Sequence, residues 1–422
     1  MRVLVYGSGG REHALGYFTG QDSRVEKLFF LGGNGGTGSI GTNISLQDEK
    51  LLPLVQKNDI GLVIIGPEQP LVNGVADELR ASKIPVFGPS KKAAKLEGSK
   101  AHSKDFMKKY NIPTAQYNSF ESKKEAYNFA KKMEHPLVIK ASGLAAGKGV
   151  IISQSLGETD KVLSEIMEDG RFGEAGAVVV IEEFLVGSEL SIHSFLLVDE
   201  KKRFYSTMPY SQDNKKSLDG DLGPNTGGMG VVAPLGIDSE LERLIKRDVL
   251  EATIDGLQDS NAPYQGMLFT GIMVVKNRPL VLEYNVRFGD PETEATLPLL
   301  DSSLFQIINS IANGEEPEEI LWKKDRCIVD VVLASEGYPA KYSKGIPITN
   351  IPKNIRDQLY IFHAGTKKQE GQLLTSGGRV LNVVGVGKDV TTARETAYQY
   401  ANEIKFSTKY YRKDIGERYA KR

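Results

Sequence analysis

Short apolar runs alternate with helical stretches through the first hundred residues, and this alternation constrains the fold more than any other feature. Residues 3–6, 27–31, 62–65 and 85–87 read as strands, with helices over 11–18 and near 72–82. Strands separated by helices pair in parallel, because a parallel partner needs a crossover connection. A doubly wound α/β sheet is therefore expected at the N-terminus. A lysine-rich helix is predicted from Ser90, as its N-cap, to Tyr110, stopping before Pro113. The pattern then changes. Residues 137–141 and 150–153 flank a glycine-rich hairpin tip, and a polar helix follows over 158–168. Strands are expected at 178–183, 190–198, 267–275 and 280–286, with a long loop at 219–230 and a helix near 239–258. Beyond Cys327, strands at 328–334, 360–363 and 379–386 and a helix at 391–404 make a smaller α+β unit.

A length of 422 residues exceeds one ordinary domain, so several units are expected. Lys plus Arg (53) nearly balances Asp plus Glu (54), which argues against a nucleic-acid partner. The single cysteine, Cys327, leaves no internal disulfide framework and fits a reducing compartment. No apolar run reaches the roughly 18 residues of a membrane span, and the N-terminus does not read as a secretory signal. A cytoplasmic location with no membrane partner is expected.

The 44 glycines cluster at 7–10, 32–41, 143–149, 220–230 and 371–378. Such clusters mark tight turns or close approach of backbone to a ligand. Gly7-Ser-Gly-Gly-Arg-Glu12 follows a strand and opens a helix, presenting N–H groups to an anion. It departs from a dinucleotide fingerprint because Glu12 stands at the third small position, and Leu31-Gly-Gly-Asn34 supplies no ribose-binding acid. A phosphate of a smaller substrate, assisted by Arg11, fits this loop; plain strand–helix packing also accounts for it.

Three further segments carry chemistry. Lys140-Ala-Ser-Gly-Leu-Ala-Ala-Gly-Lys148 lacks Walker spacing, yet two lysines flanking a glycine-rich hairpin, Gly147 included, can clamp a triphosphate. At ~4 Å and an effective dielectric of ~20, each such charge contact is on the order of 4 kcal/mol before desolvation. In Glu182-Glu-Phe-Leu-Val-Gly-Ser-Glu189, the backbone of Glu183, Phe184 and Leu185 can read an adenine edge, and Glu189 can accept from ribose hydroxyls. By itself the segment, Glu182 and Glu183 included, could equally be an acidic strand end. Glu283 and Asn285 lie two apart on a strand, so both leave one face and can offer oxygens to Mg²⁺. Arg287 shares that face and can meet a carboxylate or phosphate bidentately, with Asp290 and Glu292 immediately behind. A buried Glu–Arg pair would produce a similar pattern. No G-x-S-x-G or H-E-x-x-H occurs, and the five histidines are scattered.

Taken in order, the segments resemble the phosphoribosylamine–glycine ligase family of the ATP-grasp superfamily. The resemblance rests on Gly7-Ser-Gly-Gly-Arg-Glu-His-Ala-Leu15, Gly66-Pro-Glu-Gln-Pro-Leu71, Leu96-Glu-Gly-Ser-Lys100, Gly143-Leu-Ala-Ala-Gly-Lys-Gly-Val150, Gly223-Pro-Asn-Thr-Gly-Gly-Met-Gly230, Arg287-Phe-Gly-Asp-Pro-Glu292, His363-Ala-Gly-Thr366 and Ser376-Gly-Gly-Arg-Val-Leu381. It implies an N-terminal Rossmann-like domain at 1–101, an ATP-grasp domain at 102–326 with a lid at about 121–188, and a C-terminal domain at 327–422. It also implies a reaction in which ATP, glycine and 5-phosphoribosylamine give glycinamide ribonucleotide, ADP and phosphate through glycyl phosphate.

Family analogy assigns Lys100, Lys140 and Lys148 to the nucleotide phosphates and Mg²⁺ or Mn²⁺ to Glu283 and Asn285. It sets the ribose phosphate near Gly9, Gly10 and Arg11, and glycine and amine near Asp213, Arg287, Asp290 and Glu292. Arg287, Asp213 and Lys148 are the expected catalytic set. A monomer acting alone on small molecules is expected. The chain departs from the family pattern at Ser142, where aspartate is usual, and at Asn214 and Lys216, where the usual text is His and Arg. Another ATP-grasp ligase or carboxylase is the nearest alternative, and a nucleotide-dependent dehydrogenase a more distant one.

Overall fold

The computed structural model describes residues 1–45, 50–145 and 148–420. Five parallel strands form the N-terminal sheet in the spatial order Thr42–Ile44, Lys27–Gly32, Arg2–Gly7, Leu62–Ile65, Val86–Phe87. The chain winds outward from its first strand and then returns to that strand's other side. This creates a switch point between Arg2–Gly7 and Leu62–Ile65, where open α/β sheets expose a crevice. Both faces are covered, as expected of parallel strands. Val3, Val5 and Ile64 pack with Ala14 and Leu15 of the helix Gly10–Thr19, whereas Leu4, Val63 and Ile65 join a second core with Leu71 and Leu79.

Two expected helices are each divided. The stretch near 72–82 consists of Glu68–Asn73 and Val75–Ala81, separated where Gly74 adopts φ 93°. The single helix expected over 90–110 is instead Lys91–Gly98 and Lys100–Lys109. Ser90 caps the first, accepting from Ala93 N at 3.2 Å. Ser99 is extended and caps the second, accepting from His102 N at 3.2 Å. The break has a tertiary cause: the Lys100 amide donates to Ser142 O at 2.8 Å, outside the helix.

A four-stranded antiparallel sheet follows in the order Tyr117–Phe120, Val179–Glu183, Leu137–Ala141, Val150–Ser153. With the helices Lys123–Ala130 and Leu156–Met167 it encloses a core of its own, around Phe120, Leu137, Ile139, Leu163 and Ile181. A second antiparallel sheet contains Arg203–Thr207, Ser188–Val198, Tyr264–Val275 and Arg278–Asn285. Its helical cover runs from Ser239–Leu244 through a π-helical segment, Ile245–Glu251, into Ala252–Asp259.

The stretch expected as a long loop at 219–230 is more ordered than its glycine content suggests. Lys216–Leu218 and Leu222–Asn225 pair as a hairpin. Gly230–Ala233 then joins Cys327–Ser335, so the C-terminal sheet runs Gln212–Asp213, Gly230–Ala233, Cys327–Ser335, Arg379–Gly387, Leu359–His363. Two strands preceding residue 327 thus extend a sheet built mainly from residues after it. The helix Val390–Glu403 covers this sheet with Ala393, Ala397 and Ala401. Among the described residues, no helix is long and apolar enough to cross a membrane.

Candidate functional site

The first glycine loop contains its own anion. Gly9 N donates to Glu12 Oε2 at 2.6 Å, so the carboxylate sits at the N-terminus of the helix Gly10–Thr19. A Cβ on Gly66 would lie 2.0 Å from Glu12 Oε1, and one on Gly7 2.6 Å from its Cδ. A side chain at either position would have to displace that carboxylate. The helix dipole and the free amide are thereby satisfied within the chain. A dinucleotide pyrophosphate needs that same space, so the arrangement disfavours a dehydrogenase. Arg11 is buried, pairs with Glu12 through Nε, and donates from Nη1 to Phe288 O at 3.1 Å.

A cleft of about 510 Å³ opens between the lid sheet and the second sheet and extends toward the C-terminal sheet. Val138, Val150, Ile152, Phe269, Met273 and Leu282 give it an apolar slot. Phe184 and Leu185 edge that slot beyond the strand Val179–Glu183. The Glu183 amide donates to Gln116 O at 3.0 Å and its carboxylate accepts from Gln116 N at 2.8 Å. The Glu183 amide is thus already engaged within the chain.

Four lysines converge on the next stretch of the cleft. Glu182, buried, bridges Lys140 at 2.8 Å and Lys104 at 3.0 Å. Lys140 Nζ also donates to Leu282 O at 3.2 Å, and Lys104 Nζ to Thr114 Oγ1 at 2.6 Å. Burial brings the Lys104 pKa down to about 8 despite Glu182. Lys100 Nζ reaches Gly143 O at 3.4 Å; burial lowers its pKa, opposed by Glu283 and assisted by Lys140. Lys215 pairs with Glu189 at 3.0 Å and approaches Glu283 at 3.9 Å.

Glu283 and Asn285 end the strand Arg278–Asn285 and line the cleft together. Burial raises the Glu283 pKa, but Lys215, Lys140, Lys100 and Arg287 outweigh it and leave the net shift downward. An ionised carboxylate beside an amide oxygen is a hard-oxygen pair suited to Mg²⁺ or Mn²⁺. Among the described residues, no three acidic, histidine or cysteine side chains form a metal-holding group. The donors fit an ion whose coordination is completed by phosphate oxygens and water. Asn285 Oδ1 also accepts from Arg287 Nη2 at 3.0 Å, and Arg287 pairs with Glu97 at 3.0 Å and Glu68 at 3.7 Å.

Acidic groups dominate the far end. Asp213 and Glu292 are both buried, and Asp213 Oδ1 has no hydrogen-bond partner in the structure. Burial and the neighbouring Glu292 raise the Asp213 pKa well above normal, against Lys215 and Arg379. Burial likewise raises Glu292, whose Oε1 accepts from Ser191 Oγ at 3.1 Å. His193 holds this segment in place: its Nε2 accepts from Gly289 N at 2.9 Å, and burial keeps its pKa at about 3. Asp290 pairs with Arg379 at 3.0 Å.

The cleft therefore brings together Arg11, Lys100, Lys140, the 182–185 segment, Glu189, Asp213, Glu283, Asn285, Arg287, Asp290 and Glu292. Gly9 and Gly10 lie at the first helix start, outside the cleft lining. Lys148 is exposed on the hairpin tip and is also outside that lining, while Gly147 falls outside the described residues. Sequence reasoning missed Glu68, Glu97, Lys104, Lys215 and Arg379. Lys104 could have been found, since it lies one helical turn beyond Lys100 on the same face. The other four fall in glycine-punctuated or mixed-charge texts whose spacing specifies no partner.

Family models match almost the whole chain. Residues 1–97 match the N domain of phosphoribosylglycinamide synthetase, 98–293 its ATP-grasp (A) domain, and 328–418 its C domain. The phosphoribosylamine–glycine ligase of Caldanaerobacter subterraneus is 43% identical over 423 residues, covering 99% of this chain and 100% of that one. The Halalkalibacterium halodurans ligase is 40% identical, covering 99% and 97%. The trifunctional purine biosynthetic protein adenosine-3 of Gallus gallus is 43% identical, but the chain spans only 42% of its length. Among solved structures, the phosphoribosylamine–glycine ligase of Thermotoga maritima superposes with a TM-score of 0.87 at 37% identity, covering 98% of this chain and 100% of that one. A biotin carboxylase domain from Hydrogenobacter thermophilus, at 15% identity and a TM-score of 0.74, shares the fold. Matched along nearly its full length by the three family models and by stand-alone ligases, the chain belongs to the phosphoribosylglycinamide synthetase family and has its ATP-grasp core.

Proposed function

We propose that the chain ligates glycine to 5-phosphoribosylamine at the expense of ATP, producing glycinamide ribonucleotide, ADP and phosphate. The observation that carries this reading is the order of chemistry along one cleft. An apolar slot comes first, then clustered lysines beside a hard-oxygen pair, then buried carboxylates.

In the first step a glycine carboxylate oxygen attacks the γ-phosphorus and the bond to the β-phosphate oxygen breaks, giving glycyl phosphate and ADP. In the second, the ribosylamine nitrogen attacks the acyl carbon, phosphate leaves and the amine loses a proton. The slot between Val138, Ile152, Met273 and Leu282 receives the base, and Glu189 accepts from ribose hydroxyls. Lys100, Lys140 and Lys104 meet the phosphate chain, and positioning with charge neutralisation supplies most of the catalysis in such transfers. Glu283 and Asn285 would hold Mg²⁺ or Mn²⁺, which supplies further neutralisation of phosphate charge. Asp213, Asp290 and Glu292 receive the amino groups. The ribose phosphate is assigned to the end of the cleft that Arg11 lines.

The separate core of residues 120–181 suits a lid that closes over the phosphates and keeps water from the acyl phosphate. Lys148, exposed on its tip, would enter the cleft on that closure. Domain limits of 1–101, 102–326 and 327–422, with the lid at about 121–188, describe these roles.

The decisive experiment is an ADP-release assay with glycine and phosphoribosylamine formed in situ. Release should require both, and release indifferent to glycine would overturn the proposal. Glu283→Gln should lower kcat by 10²-fold or more with an unchanged melting temperature. Near wild-type turnover at ordinary Mg²⁺ would remove Glu283 from the mechanism.

A further inference from the structure

We infer that Arg379, carried by the C-terminal sheet, is a positioning residue for the amino-substrate end of the cleft; the inference rests on the ligase reading above. Its guanidinium joins two loops that do not otherwise share a strand. Nη2 pairs with Asp290 Oδ1 at 3.0 Å, while Nη1 donates to Asp290 O at 2.8 Å and to Gly227 O at 2.7 Å. The preceding peptide is held as well, since Gly227 N donates to Tyr338 Oη at 3.0 Å, just beyond the strand Cys327–Ser335.

The ladder explains why Arg379 points there. Leu333 faces Leu381 but Ala334 faces Arg379, so one extra residue is inserted at Val380. A bulge of this kind re-aims the side chain beside it. Gly228, with φ 118°, then carries the effect onward: a Cβ there would lie 2.7 Å from Asp213 Oδ1 and 2.3 Å from Pro291 Cδ. Backbone pinned at Gly227 thus packs directly on Asp213. Arg379 consequently fixes Asp290 by direct contact and Asp213 through the 227–228 backbone. Each of these hydrogen-bond and ion-pair partners belongs to the acidic end of the cleft.

Removing the guanidinium should therefore separate amino-substrate use from nucleotide use. In Arg379→Ala, the KM values for glycine and phosphoribosylamine should rise at least tenfold with a fall in kcat. Affinity for a fluorescent ATP analogue should stay within twofold. Arg379→Lys should recover part of the loss, because an ammonium retains the Asp290 charge pair but not both carbonyl contacts. Tyr338→Phe should shift the same constants in the same direction by less. Nucleotide affinity falling in step with glycine use would indicate a merely structural role and overturn the inference. Unchanged amino-substrate constants, or a lysine variant no better than alanine, would overturn it too. If the wild-type protein released no ADP in response to glycine, the ligase reading would fail, and amide hydrogen exchange would still judge Arg379. Arg379→Ala should then accelerate exchange over 226–230 and 288–292 and leave 137–141 unchanged; unaltered protection at the first two segments rejects the positioning role.

Discussion

Ser142 shows how much a single hydroxyl can organise. It is buried, its Oγ accepts from Ala101 N at 3.1 Å and lies 3.2 Å from Ser99 Oγ, and its carbonyl accepts from Lys100 N at 2.8 Å. The lid hairpin therefore caps the helix Lys100–Lys109 from outside it, and the departure from aspartate preserves an acceptor at that position. Ser142→Ala should cost about 0.5–2 kcal/mol of stability, the usual worth of a helix cap. It should also raise the KM for ATP several-fold, because the start of the helix aims Lys100. Steady-state kinetics at saturating glycine test this, and an unchanged ATP constant would detach Lys100 from Ser142. Individual site residues were legible only where spacing encoded direction. Glu283 and Asn285 could be paired because strand side chains alternate. Lys215 could not, because its partners Glu189 and Glu283 lie 26 and 68 positions away on other strands.

At the level of elements, the apolar strands were legible to within about three residues, whereas polar or short ones such as Thr42–Ile44, Tyr117–Phe120 and Arg203–Thr207 carry no apolar run and were not. The divisions at Gly74 and Ser99 were not, and the second shows why. Ser99 sits in a lysine-rich stretch of good helical pattern, and what opens it is a hydrogen bond to residue 142. The helix Gly10–Thr19 offers the opposite lesson, since Glu12 broke the dinucleotide pattern in the sequence and fills its space in the fold. Glu12→Ala would leave Gly9 N without its acceptor and the buried Arg11 without its carboxylate. Breaking one side of a buried ion pair costs roughly 3–5 kcal/mol. Urea denaturation should show a loss of that order with an unchanged m-value. A loss under about 0.5 kcal/mol, within the range of an ordinary surface substitution, would mean that water replaces the carboxylate without penalty.

Across the whole molecule, buried acids collect where the N-terminal helix, the segment after Asp290 and the C-terminal sheet meet. Glu294 and Asp330 are fully buried there; Asp330 has both carboxylate oxygens without hydrogen-bond partners, and Glu294 takes a single hydrogen bond from Asn382 Nδ2 at 3.3 Å. Burial raises both pKa values well above normal, with Asp290 reinforcing the effect on each. A carboxyl whose folded pKa lies above its unfolded value is neutral in both states at low pH. As pH rises past the unfolded value near 4, the unfolded chain ionises first, and stability falls by up to ~1.4 kcal/mol per pH unit and group until the folded pKa is reached. Asp330→Asn keeps the side chain's shape and removes one such group. The variant should melt higher than wild type at pH 8, and its advantage should shrink toward pH 5. Equal melting temperatures at both pH values, or an advantage that grows on acidification, would show that Asp330 ionises in the folded protein with a counter-charge. The sequence could not foretell this cluster, since Asp330 lies within the apolar strand Cys327–Ser335 and nears Glu294 only because the short helix Glu292–Thr296 packs on that sheet.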